Sequence, residues 1–429
     1  MSVIGLSPFD LAALLVVAAA VLGWFNHHFL KLPHVIGLTV MGGLASILLL
    51  IADALVPGTR LDDWVAGILG RIDFTQTLLQ GMLSFLLFAG ALHVDLERLT
   101  RDWLPVLLLS TLGVIVSTGL VGAGMWGIGA AIGVPVAPIW YFVFGALISP
   151  TDPVSVLGVL KETRVEEGLQ ATVAGESLFN DGVGIVLFTI LFGAAAIGQD
   201  FSVGEGARLF ALQAGGGVAV GLVAGWLGYR AMHSMDEYAL EVMISLAVVM
   251  GGYALCEQLH VSGPLAMAVA GLIIGNQGVA HAMSDTTRDY LIKFWELIDD
   301  LLNSVLFLLI GLEVIALVPG GPHLLLGAAG IAITLAARGL SLGLLSGLLP
   351  RARKHGRMGF TVLWWGGLRG GISIALALSL PAGHTRDLLL AATFAAVLFS
   401  VLVQRATLAR LIARHRGREP AAALPPTIH

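Results

Sequence analysis

The sequence has few charged residues and almost no cysteine. Asp, Glu, Lys and Arg make up 12% of its 429 residues, well below the ~25% of soluble globular domains, so an ordinary soluble domain is excluded. The single cysteine, Cys256, excludes an intramolecular disulfide and a multi-cysteine metal site. No Lys or Arg precedes the first apolar run, Leu11 to Trp24, which argues against a cleaved signal peptide.

Apolar residues are in excess. They make up 57% of the chain, and the mean hydropathy is +0.90. Apolar stretches of about 18 residues or more, the length that spans a ~30 Å hydrocarbon core, recur from one end to the other. They do not alternate with polar residues as the strands of a membrane barrel would. We predict an all-α polytopic membrane protein that forms a single transmembrane unit over residues 1–429.

Polar, charged and Gly/Pro-rich positions divide the chain into thirteen candidate spans. Their limits are 9–24, 35–55, 74–92, 103–132, 138–161, 170–197, 206–230, 239–258, 262–277, 288–317, 322–349, 358–381 and 387–413. The tail that follows, 414–429, contains three prolines and is predicted to be short, disordered and cytoplasmic.

The basic residues outside the spans lie mainly on one side of the membrane. Seventeen of the 23 Lys and Arg residues lie at the odd-numbered joints between spans or at the C-terminal end, and four lie at the even-numbered joints. Because cytoplasmic loops carry the excess of positive charge, we predict a cytoplasmic C-terminus and an external N-terminus.

A few ionisable residues lie deep inside spans. A charge at the centre of a membrane helix costs about 2.5–3.5 kcal/mol, so such residues are usually functional. The deep set is Asp152, Glu176, Asp181, Arg338 and Arg369, with Asp299 and Asp300 as further candidates.

In the fifth span, "ALISPTDPVSVLGVL", two prolines flank an acid. Pro150 and Pro153 cannot donate helical hydrogen bonds and disfavour helical geometry in the preceding residue, which predicts a break over 149–153. Broken backbone at membrane depth is tolerated where it lines a cavity. There the freed carbonyl groups and Asp152 would form an oxygen-rich site for a hard cation. The alternative is a proline kink with a hydrogen-bonded aspartate.

The sixth span contains "GESLFNDGVG". Ser177 and Asp181 are four residues apart, as are Glu176 and Asn180, so each pair shares one helix face. Hydroxyl, amide and carboxylate groups suit Na⁺ or H⁺ rather than a soft metal. A carboxylate that binds either a proton or a cation couples the two fluxes, and we expect Asp181 to do so. The two glycines that follow allow another backbone to approach closely. The alternative is a structural polar network.

Two arginines inside spans need anionic partners. Glu176 is the best candidate partner for Arg338, and if the two pair, Glu176 is structural and stays ionised. Arg369 lies in "WGGLRGGIS". Because each glycine weakens a helix by about 1 kcal/mol relative to alanine, the four glycines here predict a second unwound segment, in the twelfth span.

The two predicted breaks are seven spans apart. Six-span repeats over 1–197 and 239–413, joined by a linking helix at 206–230, would pair the fifth span with the twelfth. Because seven is an odd number, the repeats would be inverted in the membrane. Inverted repeats whose broken helices cross at mid-membrane are typical of secondary transporters, and Arg369 would there offset the helix-end dipoles and the acids.

Asp300 and Asn303, in "ELIDDLLNSV", are three residues apart and share a helix face. They are candidates for the lining of a cytoplasmic funnel. An ordinary polar helix face explains the spacing equally well.

Four segments carry a family resemblance: "GALISPTDPVSVLGVL", "GESLFNDGVGIVLF", "LLNSVLFLLIGLEV" and "WGGLRGGISIALALSLP". Together they resemble the bacterial NhaP-type sodium/proton antiporters of the monovalent cation:proton antiporter-1 family, which are related to the eukaryotic sodium/hydrogen exchangers. The resemblance covers roughly the whole chain. It implies thirteen helices, a homodimer in the bacterial inner membrane, and a core domain that moves against a dimerisation domain.

The resemblance also implies site roles. Asp181 would be the main cation- and proton-binding acid, and Asp152, Ser177 and the backbone carbonyl of Thr151 would assist it in holding Na⁺. Asn180 stands where a related electrogenic branch has a second aspartate. The Asn-Asp form goes with electroneutral exchange of one cation for one proton.

Three further positions are compared with the family. Glu176 and Arg338 match its structural ion pair. Ala89, in "LLFAGALHVD", stands where many relatives have an acid that can approach the cation. A water would then take the place of that acid, so the cation preference is open.

We therefore predict a secondary antiporter that exchanges cytoplasmic Na⁺ or Li⁺ for external H⁺ by alternating access. It would be no enzyme, need no cofactor and bind no nucleic acid; its partners are monovalent cations, protons and the lipid bilayer. K⁺/H⁺ exchange on the same fold is the main alternative. An intramembrane aspartyl protease, with Asp152 and Asp181 as its dyad, and an ion channel are alternatives of other classes.

Overall fold

The computed structural model of the chain describes residues 8–32, 34–55, 82–198, 202–278, 283–312, 321–348 and 356–416, and within these ranges it contains helices and no strand. The helices are α1 (Pro8–Phe25), α2 (His34–Leu55), α3 (Leu83–Leu92), α4 (Leu96–Arg101), α5 (Trp103–Ser110), α6 (Leu112–Ala131), α7 (Pro138–Ile148), α8 (Pro153–Glu162), α9 (Glu167–Ile197), α10 (Val203–Met232), α11 (Tyr238–Leu259), α12 (Gly263–Ile273), α13 (Asp285–Leu312), α14 (Gly321–Leu348), α15 (Gly356–Trp365), α16 (Gly371–Leu378), α17 (His384–Phe399) and α18 (Arg405–Arg416).

Helices occupy all thirteen predicted spans as far as the described residues reach. Among those residues, seven helical segments are long and apolar enough to cross a membrane. They are Ala12–Leu30, Trp103–Ala131, Glu167–Ile197, Val203–Met232, Tyr238–Leu259, His323–Gly347 and His384–His415. Other spans are shorter apolar helices or are divided by breaks. The prediction of an all-α polytopic membrane protein is confirmed.

The predicted start of the C-terminal tail is wrong by three residues. Helix α18 continues through Arg416, so 414–416 is helical rather than disordered. Its sequence, "RATLARLIARHR", is rich in Ala, Leu and Arg, which are strong helix formers. The rest of the tail, 417–429, lies outside the described residues, as do the predicted span ends 74–81, 313–317 and 349.

Both predicted breaks are present. The fifth span divides into α7 and α8, with 149–152 between them, and the twelfth divides into α15 and α16, with 366–370 between them. The two breaks meet, because the backbone N–H of Asp152 donates a 2.8 Å hydrogen bond to the carbonyl of Leu368. Two non-helical segments, each inside a predicted span, are thus joined by a backbone hydrogen bond. That the two halves of the chain are inverted repeats stays a prediction.

Helix α9 passes beside this crossing and is largely buried. It contacts α5, α7, α8, α10 and α12. Gly184 provides the close approach that the sequence predicted, because a Cβ added there would lie 2.6 Å from the Cγ of Pro150. The absence of a side chain at Gly184 therefore places the acid-bearing turn of α9 directly against the break in the fifth span.

A second close approach, between α6 and α7, gives a stability prediction. A Cβ added at Gly145 would contact the carbonyl oxygen of Thr118 and would lie 3.1 Å from its carbonyl carbon and 3.2 Å from the backbone nitrogen of Gly122. Backbone atoms cannot move aside as a side chain does, so we expect Gly145→Ala to destabilise the protein by about 1–3 kcal/mol. A lower melting temperature of the purified protein in detergent would show this.

The matched control is Gly119→Ala on α6, where an added Cβ meets nothing within 4 Å. Alanine has the higher helix propensity by about 1 kcal/mol, so this variant should melt at the same temperature or higher. Equal melting temperatures for the Gly145→Ala and Gly119→Ala proteins would contradict the proposed close packing.

Candidate functional site

A cavity of about 500 Å³ lies beside the crossing of the two breaks. Helices α3, α8, α9, α13 and α16 and both breaks contribute to its wall. Its polar and charged lining residues are His93, Thr151, Asp152, Lys161, Asp181, Glu296, Asp299, Asp300, Asn303 and Ser373. Five of these ten residues are aspartate or asparagine and a sixth is glutamate, so the cavity presents mainly oxygen ligands, which suit hard cations.

Asp181 lies in a buried part of this wall. Its side chain comes from the middle of α9, and the residue is 2% exposed. Carboxylate oxygen Oδ1 is buried and has no hydrogen-bond partner among the described residues. A buried carboxylate oxygen without a protein partner is costly, and a proton or a cation would supply the missing partner. The geometry therefore permits the competition that the sequence suggested, and the role of Asp181 stays a prediction.

Asp152 lines the same cavity from the first break. Its side chain lies against Gly370, where an added Cβ would be 2.8 Å from Asp152 Cβ and 3.3 Å from Asp152 Cγ. Gly370 is the N-cap residue of α16. The positive end of a helix dipole stabilises a negative charge nearby, so the second break provides a favourable environment for an ionised Asp152.

Thr151, Ser177 and Asn180 form a buried hydrogen-bond network. The hydroxyl groups of Thr151 and Ser177 are 2.9 Å apart, and Asn180 Nδ2 donates to Thr151 Oγ1 at 2.7 Å. The backbone N–H of Thr151 donates to Asn180 Oδ1 at 3.2 Å. Thr151 lines the cavity, whereas Ser177 and Asn180 are not among its described lining residues and form hydrogen bonds with Thr151. The structure thus brings the predicted ligands together, with Thr151 and the two aspartates on the accessible side.

Arg369 corrects one detail of the sequence prediction. Its guanidinium is buried and donates to the carbonyl of Ser149 and, at 3.0 Å, to that of Pro150. Pro153 has no N–H for the Ser149 carbonyl, which was therefore expected to face a cation. Both carbonyl groups bind Arg369 instead, whose positive charge lies at the C-terminal end of α7, as the dipole argument anticipated. The Arg369 backbone N–H also donates to Ser400 Oγ at 2.8 Å.

The predicted pair of Glu176 and Arg338 is present. Arg338 Nη1 lies 2.5 Å from Glu176 Oε1, and the side chains are 9% and 2% exposed. The same guanidinium donates through Nε and Nη2 to the carbonyl of Leu363, at 3.2 and 3.0 Å. One buried charge therefore connects α9, α14 and α15, and the contact with α15 was not predicted from the sequence.

The predicted funnel residues Asp300 and Asn303 line the cavity from α13, together with Asp299. Sequence reasoning missed Glu296 on the same helix, although Glu296, Asp299 and Asn303 follow the i, i+3, i+7 spacing of one helix face. Ala89 also lines the cavity, so a side chain at this position faces the site.

Three further lining residues were not identified from the sequence. His93 Nε2 lies 3.4 Å from Glu296 Oε1 at the exposed end of the cavity, and Lys161 lies at the end of α8. Ser373, on α16, is 1% exposed, and its hydroxyl has no hydrogen-bond partner among the described residues. Its neighbours in the chain are apolar, so only the break before α16 indicates that a serine here would face the site.

Comparisons with known proteins agree with this architecture. The family model "Sodium/hydrogen exchanger, transmembrane" matches residues 16–414. The Na⁺/H⁺ antiporter NhaP of Pseudomonas aeruginosa is 42% identical over 416 residues, which cover 96% of this chain and 98% of that protein. The Na⁺/H⁺ antiporter NhaH of Halobacillus aidingensis is 35% identical over 79% of this chain and 83% of its own.

A solved structure shares the fold. The sodium proton antiporter MjNhaP1 from Methanocaldococcus jannaschii, determined at pH 8, superposes with a TM-score of 0.75 and covers 95% of this chain and 98% of its own. The two sequences are 19% identical, so this similarity concerns the fold alone.

Proposed function

The chain belongs to the sodium/hydrogen exchanger family, and on that basis we propose that it exchanges cytoplasmic Na⁺ or Li⁺ for external H⁺ by alternating access. The observation that carries the proposal is the buried Oδ1 of Asp181, which has no described protein partner and borders an acid-lined cavity. Such an oxygen is suited to bind a proton and a dehydrated cation in turn.

We propose that Na⁺ reaches Asp181 through the acidic part of the cavity. Asp299, Asp300 and Asn303 would attract the cation, and Asp152 and Thr151 would replace part of its hydration shell beside Asp181. Because both ligands compete for one carboxylate, bound Na⁺ displaces the proton. The crossing of the two breaks then moves relative to the rest of the protein and presents the same carboxylate to the other side.

Electroneutral exchange is proposed from the charge of the site in its two loaded states. Asn180 carries no charge in either state, and its amide is engaged with Thr151. Asp181 is neutralised by one proton in one direction and balanced by one Na⁺ in the other, whereas Arg369 and the Glu176–Arg338 pair keep their charges. The site then moves the same net charge in both directions, and exchange is one for one.

The placement in the membrane is also a proposal. The exposed end of the cavity carries His93 and Lys161, both near joints that the positive-inside rule assigns to the cytoplasm. We therefore propose that the cavity opens to the cytoplasm, that the N-terminus is external, and that the protein acts as a homodimer in the bacterial inner membrane. It is proposed to need no resident cofactor.

Exchange in proteoliposomes tests the function. A pH gradient is imposed, Na⁺, Li⁺ or K⁺ is added in turn, and the voltage is clamped with a permeant ion. Collapse of the gradient by Na⁺ or Li⁺ that does not depend on voltage is expected. Collapse by K⁺ alone would replace the proposal by K⁺/H⁺ exchange, and voltage-dependent exchange would contradict the one-for-one mechanism. Single-channel currents would indicate a channel.

Ala89→Glu is predicted to change cation preference. Ala89 is buried in the cavity wall, so a carboxylate there would add a charged oxygen ligand within reach of the site. Ligands of higher field strength favour the smaller cation, and we expect the preference for Na⁺ over K⁺ to rise by about tenfold, equivalent to about 1.4 kcal/mol. The measurement is the apparent KM for each cation in the same liposomes.

The control is Ala89→Gln, which has nearly the same size without the charge and should not raise the preference. If the two folded variants show the same ratio of Na⁺ to K⁺ affinity, position 89 does not act through its charge.

A further inference from the structure

A second cavity, of about 510 Å³, lies between α15 and α18, away from the ion site. Helix α15 contributes Thr361, Trp364 and Trp365, and α18 contributes residues from Thr407 to His415. The N-terminal end of α15 and the C-terminal end of α18 lie on the side that the positive-inside rule assigns to the cytoplasm. The cavity therefore lies at the depth of the lipid headgroups and the upper acyl chains.

The end of this cavity nearest the C-terminus of α18 is basic. Arg410 and Arg414 line it, are exposed, and form no ion pair with any described residue. They are four residues apart, so they share one helix face, where like charges destabilise the helix by about 0.2–0.5 kcal/mol. Helix α18 contains no acidic residue. An anion bound between the two guanidinium groups would remove this repulsion.

The opposite end of the cavity, at the C-terminus of α15, is aromatic. The indole N–H of Trp364 donates to the Leu335 carbonyl, and that of Trp365 donates to Thr407 Oγ1, each at 2.9 Å. With their polar groups satisfied, the two indoles present apolar surface. From Thr407 to Arg414 the helix rises by about 10 Å, so one end of the cavity suits a charged group and the other a hydrocarbon chain.

We propose that this cavity binds an anionic phospholipid of the cytoplasmic leaflet, with its phosphate on Arg410 and Arg414 and the start of an acyl chain against Trp364 and Trp365. An excess of basic residues on the cytoplasmic side orients any membrane protein, but it does not by itself produce a cavity between helices. Basic cavities between helices on this side are typical sites for anionic headgroups. A free phosphate ion would use the basic end only.

The bound lipid would stabilise the C-terminal end of α15, where the break in the twelfth span begins. Trp365 is the last residue of α15, directly before the break at 366–370, and its carbonyl accepts a 3.2 Å hydrogen bond from Gln404. A lipid that contacts both α15 and α18 holds this end of the break against its neighbour. We therefore expect anionic lipid to raise the melting temperature of the protein.

The test is lipid binding by the full chain in detergent, followed by native mass spectrometry and by melting temperature. Phosphatidylglycerol and phosphatidylcholine with identical acyl chains are titrated. The unmodified protein should bind phosphatidylglycerol at least about tenfold more tightly, and Arg410→Gln with Arg414→Gln should abolish this difference. Arg410→Lys with Arg414→Lys, which keeps the charges, should retain most of it.

The matched control removes two other arginines from the same side, Arg101→Gln with Arg230→Gln, and should bind phosphatidylglycerol like the unmodified protein. Equal loss of binding in this control would mean that only overall charge matters and would overturn the proposal. Unchanged binding in the folded Arg410/Arg414 glutamine variant would also overturn it. So would stabilisation by inorganic phosphate equal to that by phosphatidylglycerol, because the ligand would then be a free anion.

Discussion

Asp181→Asn is expected to abolish cation/proton exchange in a protein that remains folded. Asparagine has the shape of aspartate but neither binds a proton in the transport range of pH nor carries a charge for Na⁺. Because the Asp181 carboxylate is buried and its Oδ1 has no described protein partner, its replacement removes a costly buried charge. The melting temperature should therefore stay the same or rise, while exchange in proteoliposomes falls by at least about 100-fold, to the level of empty liposomes.

A binding measurement separates this effect from a failure of the conformational change. Addition of Na⁺ to the unmodified protein in weakly buffered detergent solution should release about one proton per chain, and the Asp181→Asn protein should release none. Asp300→Asn is the matched control, because Asp300 lines the same cavity from α13. It should keep the proton release and most of the maximal exchange rate, with a higher apparent KM. Full exchange by folded Asp181→Asn protein would refute the proposed mechanism.

The features that are correctly predicted from the sequence are those that depend on local chemistry. Pro150 and Pro153 remove helical hydrogen bonds whatever surrounds them, and the glycines around Arg369 weaken the helix in any environment, so both breaks are predictable. What each break contacts depends on the arrangement of spans far apart in the chain. The hydrogen bond from Asp152 to Leu368 and the capture of the Ser149 and Pro150 carbonyl groups by Arg369 are contacts of this kind.

The residues that line the cavity divide in the same way, into those that local sequence identifies and those that only the fold brings to the site. Asp152 and Asp181 lie inside largely apolar spans, so the free-energy cost of a charge in the membrane identifies them as candidates. Lys161 lies near the end of α8, and Glu296 lies in the charged N-terminal half of α13, where charged residues are common and uninformative. They line the cavity only because α13 and α8 meet there, which periodicity within one helix cannot reveal. The helix face shared by Glu296, Asp299 and Asn303 is detectable from the sequence, but the direction in which it points is not.

The second large effect is expected at the buried ion pair. Arg338→Met should destabilise the protein by about 3–5 kcal/mol, because it leaves Glu176 as an uncompensated buried charge. The change also removes the hydrogen bonds from the guanidinium to the carbonyl of Leu363, and so loosens α15 from α14. The expected result is a large fall in melting temperature in detergent and in the yield of folded protein.

Removal of both charges distinguishes the two parts of this effect. In Arg338→Met with Glu176→Gln no buried charge is left, and replacement of both partners of such a pair is often close to neutral. The double variant should therefore recover most of the lost stability, short of the contribution from the Leu363 carbonyl. Because the pair lies behind the cavity and is not part of its described lining, the recovered protein should also exchange Na⁺ for H⁺. A double variant as unstable as Arg338→Met would show that the stabilisation comes from the contact with Leu363. A stable double variant without exchange would show instead that the pair takes part in transport.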